Sequence, residues 1–176
     1  MIGSIEAKRF IFVDESGVTT EMTRRYGRVI GGQRVNDSAP ANWRTLTLLG
    51  AVGLTGWVAS MTVEAPTDAD VFLAFLDHVL CPKLEPGQVV VMDNLTAHKV
   101  AGVSERILAT GADVLYLPPY SPEFNPIEKC WAQAKQYLRA AKARTIPDLE
   151  QAISAALDEL TPNQAAAYFQ HCGYQT

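Results

Sequence analysis

The amino-acid sequence predicts an α/β protein built on one mixed, five-stranded sheet flanked by helices. Three observations carry that expectation. The chain opens with strand-like apolar runs joined by short connections, and these favour antiparallel pairing. From residue 67 onward, short apolar runs alternate with segments of helical periodicity, as in a sheet covered by helices. The length of 176 residues and the 48% apolar content support one packed domain.

The elements follow in order. Lys8 to Val13 is an apolar, aromatic strand that ends at Asp14-Glu15-Ser16-Gly17. Tyr26 to Val35, with Gly27, Gly31 and Gly32, reads as an arm or loop. Trp43 to Val52 and Gly56 to Val63 read as two strands around a tight connection. A helix starts at Thr67, with Asp68 and Asp70 at its positive end and Pro82 marking its close. Gln88 to Met92 is a short buried strand that stops at Asp93-Asn94. His98 to Thr110 is helical and closed by Gly111, and Asp113 to Leu117 is the fifth strand. Pro118, Pro119 and Pro122 exclude regular structure over the next loop. Helices are expected from Pro126 to about Ala141, from Pro147 to Leu160 and from Pro162 to His171.

Composition excludes several classes. No apolar run approaches the ~18–20 residues of a membrane span, and the N-terminus lacks a signal pattern, so a soluble cytoplasmic protein is expected. Cys81, Cys130 and Cys172 are odd in number and widely spaced, which supports neither a disulfide framework nor a zinc site. The net charge is −4, unlike a generic nucleic-acid binder, yet its distribution is uneven. Arg24, Arg25, Arg28, Arg34 and Arg44 cluster in one stretch, and Lys129, Lys135, Arg139, Lys142 and Arg144 in another free of acids.

Three carboxylates end apolar segments. Asp14 follows Phe-Ile-Phe-Val, Asp93 follows Val-Val-Val-Met, and Glu128 opens a helix after the proline loop. A charge placed beside buried strands needs solvent or a cation, and hard oxygen ligands from separate elements suit magnesium. Plainer readings stand beside this one. Asp14 fits a turn before Ser16-Gly17, and Asp93 an Asx turn or helix cap. Asn125-Pro126-Ile127-Glu128 fits a capping box in which Glu128 serves only the helix.

The segments FVDESG (12–17), VVMDNLTAHK (90–99) and LPPYSPEFNPIEKCWAQAK (117–135) closely resemble the DDE transposases of bacterial insertion sequences related to mariner elements. Thirty-four residues separate Asp93 from Glu128, the spacing typical of that family. The resemblance runs from about Lys8 to the last helix. It implies an RNase H-like fold and a transposase catalytic domain that uses two Mg²⁺ or Mn²⁺ ions. Asp14 would bridge both ions, and Asp93 and Glu128 would each bind one. The activity implied is phosphodiester hydrolysis at transposon ends, then transfer of the 3′-hydroxyl into target DNA.

The same resemblance marks His98, which would approach the scissile phosphate or order the Asp93 loop. Asn94 would be a turn residue, Asn125 a helix cap, and Trp131 core packing, while Tyr120 and Ser121 would lie close enough to touch phosphate. Arg24, Arg25, Arg28, Arg34, Lys129, Lys135 and Arg139 become candidate DNA contacts within the two basic stretches. Family members carry helix-turn-helix domains ahead of the catalytic domain. None precedes the first strand here, so a separate recognition domain or polypeptide is expected as a partner, besides DNA and a possible homodimer. The rivals are an RNase H-like nuclease of another class, and an inactive or domesticated domain that binds DNA or protein. Localisation would be with the bacterial nucleoid.

Overall fold

The computed structural model describes residues 5–24, 26–27, 31, 36, 38–93, 100–119 and 121–176. Five strands form one sheet in the order β3-β2-β1-β4-β5. They are β1 (Phe10–Thr19), β2 (Thr45–Gly53), β3 (Gly56–Val63), β4 (Val89–Met92) and β5 (Asp113–Tyr116). The first three pair antiparallel, while β4 lies parallel to β1 and β5 parallel to β4. The sheet is therefore mixed, as expected. The helices are α1 (Ala69–Phe75), α2 (Val103–Ala109), α3 (Ile127–Ala141), α4 (Ile146–Asp158) and α5 (Pro162–His171). No helix among the described residues is long and apolar enough to cross a membrane.

Strand alternation divides the core into two layers. Phe10, Phe12, Leu46, Leu48, Val89 and Val91 face one side, where they pack with α3, α4 and α5 through Ile127, Trp131, Leu138, Leu149, Ile153 and Phe169. Ile11, Val13, Leu49, Ala51, Val90 and Met92 face the other, against Phe72, Phe75, Leu76, Val103 and Ile107. This alternation decides which side each site residue can reach.

The helix ends follow local chemistry. Asp68 accepts from the Val71 N–H at 2.9 Å and caps α1. Thr145 caps α4, and Thr161 with Gln164 forms a capping box on α5. After Phe75 the first helix continues as one π-helical turn (Leu76–Leu80) and a 3₁₀ turn (Cys81–Lys83). The sequence suggests a single helix there, but Pro82 cannot donate to a preceding turn.

Two boundaries differ from expectation. β1 does not stop at Val13; it runs through Asp14-Glu15-Ser16-Gly17 to Thr19, because β2 supplies a partner along its length, from Phe12↔Val52 to Thr19↔Thr45. Asp14 is therefore a mid-strand residue, and its reading as a turn is excluded. The second helix begins at Val103, after Gly102 with φ +96°, rather than at His98. Residues 94–99 lie outside the described set.

Arg144 is a further correction. It belongs to a basic stretch read as phosphate-binding, yet its guanidinium donates to the carbonyls of Thr20 (2.8 Å), Met22 (3.1 Å) and Ser38 (3.1 Å). Backbone pairing of Thr20 with Arg44 closes the same segment. Arg144→Ala should lower stability by about 1–3 kcal/mol, the scale of lost hydrogen bonds to a charged donor. Limited proteolysis should then cut between residues 20 and 44 earlier than in the parent protein. Unchanged stability and cleavage would contradict this role.

Candidate active site

The site is assembled where β4 ends and β1 does not. The parallel register runs Phe10↔Val89 to Val13↔Met92 and then stops. Asp14 and Asp93 are the next residue on each strand, so adjacent strands bring the two acids side by side. Asp14 alternates with Phe12, which directs its side chain to the layer of α3, α4 and α5. Glu15 takes the opposite direction, as expected for a continuing strand, and its Oε2 is buried without a hydrogen-bond partner. Glu128 enters from α3, in the first turn, where the helix dipole favours an anion.

Asp14 is only 7% exposed. Burial pushes its carboxyl up to about 7, and the charges of Glu128 and Asp93 push in the same direction. The Glu15 backbone N–H and the Trp131 indole oppose them. Among the described residues these influences include no cationic side chain. The three acids are electrostatic neighbours, but they are not a closed ligand cage: among the described residues no three His, Cys, Asp or Glu side chains are grouped to hold an ion.

The α3 N-terminus decides the role of Glu128 within the helix. The capping-box alternative is not formed, because the helix start has no side-chain cap. The Asn125 backbone N–H donates to the Pro122 carbonyl at 3.0 Å instead of meeting a Glu128 carboxylate. Asn125 is 4% exposed and its Oδ1 is unpartnered, so the expected Asn125 cap is absent too. The proline loop forms a 3₁₀ turn, Pro122–Phe124, that leads the chain straight into α3. Glu128 is thus exposed on a rigidly delivered helix turn, with its carboxylate not committed to the backbone.

The other expected residues divide. Lys135 and Arg139 lie on α3, seven and eleven residues after Glu128, so helical geometry keeps all three on one stripe within roughly 20°. Lys129 points elsewhere and acts on the Cys172 thiol near the C-terminal tail. Arg24 is exposed, and Ser121 donates to the Pro119 carbonyl at 3.4 Å. Arg25, Arg28, Arg34, Asn94, His98 and Tyr120 lie outside the described residues. Cys130 and Cys172 are buried free thiols, and Cys81 is half-buried.

Sequence reasoning missed a side-chain hydrogen bond to Asp14. Trp131, expected to be plain core packing, is 3% exposed and donates its indole Nε1–H to Asp14 Oδ2 at 3.1 Å. The available signal was its position three residues after Glu128, one helical turn along the same side. Two cavities, of about 710 and 530 Å³, lie away from the acids, one beside the C-terminal tail and one between β3 and α4.

Comparison with known proteins agrees with this architecture. The profile described as DDE superfamily endonuclease matches residues 9–151. No curated protein matches the chain in sequence. Among solved structures, the chain is similar to a pre-cleavage Mos1 transpososome, with a TM-score of 0.77 and 14% identity over 94% of this chain and 53% of that one. The Mos1 mariner paired-end complex with Mn gives 0.74 and 14%, covering 94% and 52%. The catalytic domain of Mos1 mariner transposase gives 0.63 and 12%, covering 94% and 77%. At these identities the likeness establishes a shared fold. The chain spans about half the length of the first two.

Proposed function

The chain belongs to the DDE superfamily endonucleases, and from that premise we propose that it is a transposase catalytic domain. Its reaction would be phosphodiester hydrolysis at transposon ends, followed by strand transfer of the freed 3′-hydroxyl into target DNA. The observation that carries this reading is Asp14: a buried carboxylate crowded by Glu128 and Asp93, with no cation among the described residues that act on it. Such a charge cluster is costly by itself and is relieved by a divalent ion.

The residues fit that ion. Three hard oxygen donors from β1, the end of β4 and α3 are the chemistry that Mg²⁺ or Mn²⁺ takes. Asp14 would serve two ions, Asp93 and Glu128 one each. Bound there, divalent ions supply Lewis-acid neutralisation of charge developing on the phosphate.

The remaining work falls to the chain's own residues. Lys135 and Arg139, about 10 and 16 Å along the helix from Glu128, would hold backbone phosphates and keep the strand in register with the acids. Arg24, Arg25, Arg28, Arg34 and Lys129 would add sequence-independent attraction. His98 and Asn94 would order the segment after Asp93, and Asn125, whose Oδ1 has no partner among the described residues, would support the loop entering α3. Selection of the element's ends would rest with a separate DNA-recognition domain or polypeptide, and paired ends with a homodimer.

The test is a strand-transfer assay. Pre-cleaved end duplexes are incubated with the protein, Mn²⁺ and a supercoiled plasmid. Joined products that vanish in Asp14→Ala, Asp93→Ala and Glu128→Ala are expected. Cleavage of RNA–DNA hybrids without joining would replace this reading with that of another nuclease class. The absence of any Mn²⁺ binding sensitive to these substitutions would leave a non-catalytic domain.

A further inference from the structure

Trp131 has more than one way to be satisfied as a buried residue, and the structure uses a costly one. Its ring is buried at 3% exposure, and its N–H is directed at a carboxylate rather than a backbone carbonyl. Three features fix that direction. The ring packs against Trp57, with centroids 4.6 Å apart and planes at 37°. It lies over Gly50, the residue opposite Asp14 in the β1–β2 ladder. A Cβ on Gly50 would come within 2.5 Å of Trp131 Cη2 and 2.8 Å of Trp57 Cζ3, so the missing side chain is the slot that admits the indole. The third feature is α3 itself, which presents Trp131 one turn after Glu128.

We propose that Trp131 is a positioning residue for cation binding: its indole N–H ties down Asp14 Oδ2 and, together with the Glu15 backbone N–H, sets the rotation of the carboxylate that the ion meets. One helix then presents one acid and orients another. The proposal rests on the reading of Asp14 as a cation ligand. A group that orients a ligand typically costs about 10–100-fold in metal affinity when lost.

The experiment measures Mn²⁺ affinity by electron paramagnetic resonance on the full chain. Its variants are Trp131→Phe and a protein carrying benzothienylalanine at 131, which keeps the bicyclic shape but replaces N–H by sulfur. Trp57→Phe disturbs the stack without touching the donor, and Asp14→Asn tests the underlying reading. The expected result is binding about 10–100-fold weaker with benzothienylalanine at unchanged melting temperature, and a smaller loss in Trp57→Phe, which loosens the stack but keeps the donor. Parental affinity with benzothienylalanine, while Asp14→Asn abolishes binding, overturns the proposal and leaves the reading of Asp14 intact. Parental affinity in Asp14→Asn overturns both.

A second readout separates orientation from packing. The chain has three tryptophans, hence three indole N–H signals in a ¹⁵N-labelled sample, and Trp131→Phe identifies the one of interest. That signal should shift on adding Mg²⁺ and lose the shift in Asp14→Asn. A signal indifferent to Mg²⁺ also counts against the proposal.

Discussion

Asp14→Asn should reduce strand cleavage and joining by on the order of 10³-fold or more, the largest effect expected of any single substitution here. The substitution is nearly isosteric, so the β1–β2 ladder through Asp14↔Gly50 should persist. An amide oxygen can still accept from Trp131, but it carries no charge for a cation. Losing about 4 kcal/mol of charge stabilisation corresponds to that factor, at 1.36 kcal/mol per tenfold. Glu128→Gln should follow the same direction, because the structure leaves its carboxylate outside any capping box. Single-turnover cleavage of an end duplex in saturating Mn²⁺ measures both. Activity within tenfold of the parent in Asp14→Asn would remove Asp14 from the mechanism.

The same substitution should make the metal-free protein more stable at pH 8, and the second large prediction concerns that trade. In the folded chain the Asp14 carboxyl titrates at about 7, against an ordinary 3.8. Below pH 4 it is protonated whether the chain is folded or not. Between about pH 4 and 7 the folded state keeps a proton that the unfolded state has lost. Stability from this group is therefore present at low pH and lost as pH rises through that window. The loss is on the order of 3–4 kcal/mol. Denaturant melts of parent and Asp14→Asn without metal should diverge between pH 4 and 8, with the variant ahead at pH 8. Divalent cation at a hundredfold excess over Kd should narrow the gap at pH 8, since binding to the native state then adds about 2.7 kcal/mol. Parallel melts across the range would show that burial and its two acidic neighbours do not govern Asp14.

Much of the fold was legible because its signals are local. The apolar runs of β2 to β5, the prolines opening α4 and α5, and the acidic cap of α1 each appear within a few residues. β1 was read short because Asp14-Glu15-Ser16-Gly17 has turn composition. Pairing with β2, from Asp14↔Gly50 to Gly17↔Thr47, overrode that local preference. The Asn125–Glu128 capping box failed for a related reason. Its spacing is right, but the 3₁₀ turn before α3 directs the Asn125 N–H to Pro122.

The site was legible in part. The three acids stood out by ending apolar segments, and the register β1–β4 explains why two of them are neighbours. The role of Trp131 was not legible, because an indole hydrogen bond across 117 positions leaves no periodic trace. It becomes intelligible only once Gly50, unremarkable in sequence, is seen to vacate the space beneath the ring. The basic stretch of α3 and its end likewise split into residues sharing the stripe of Glu128 and one, Arg144, that serves the backbone.

That last arginine has a consequence for how the protein can change over time. Both banks of the excursion between β1 and β2 are moored to one guanidinium and to the Thr20–Arg44 pair, all on the domain side of the crossing. A change of length between residues 24 and 38 should therefore leave the register of the ladder that carries Asp14 unchanged. The strand beside that stretch thereby keeps the same acid in the same place whatever the length of the excursion.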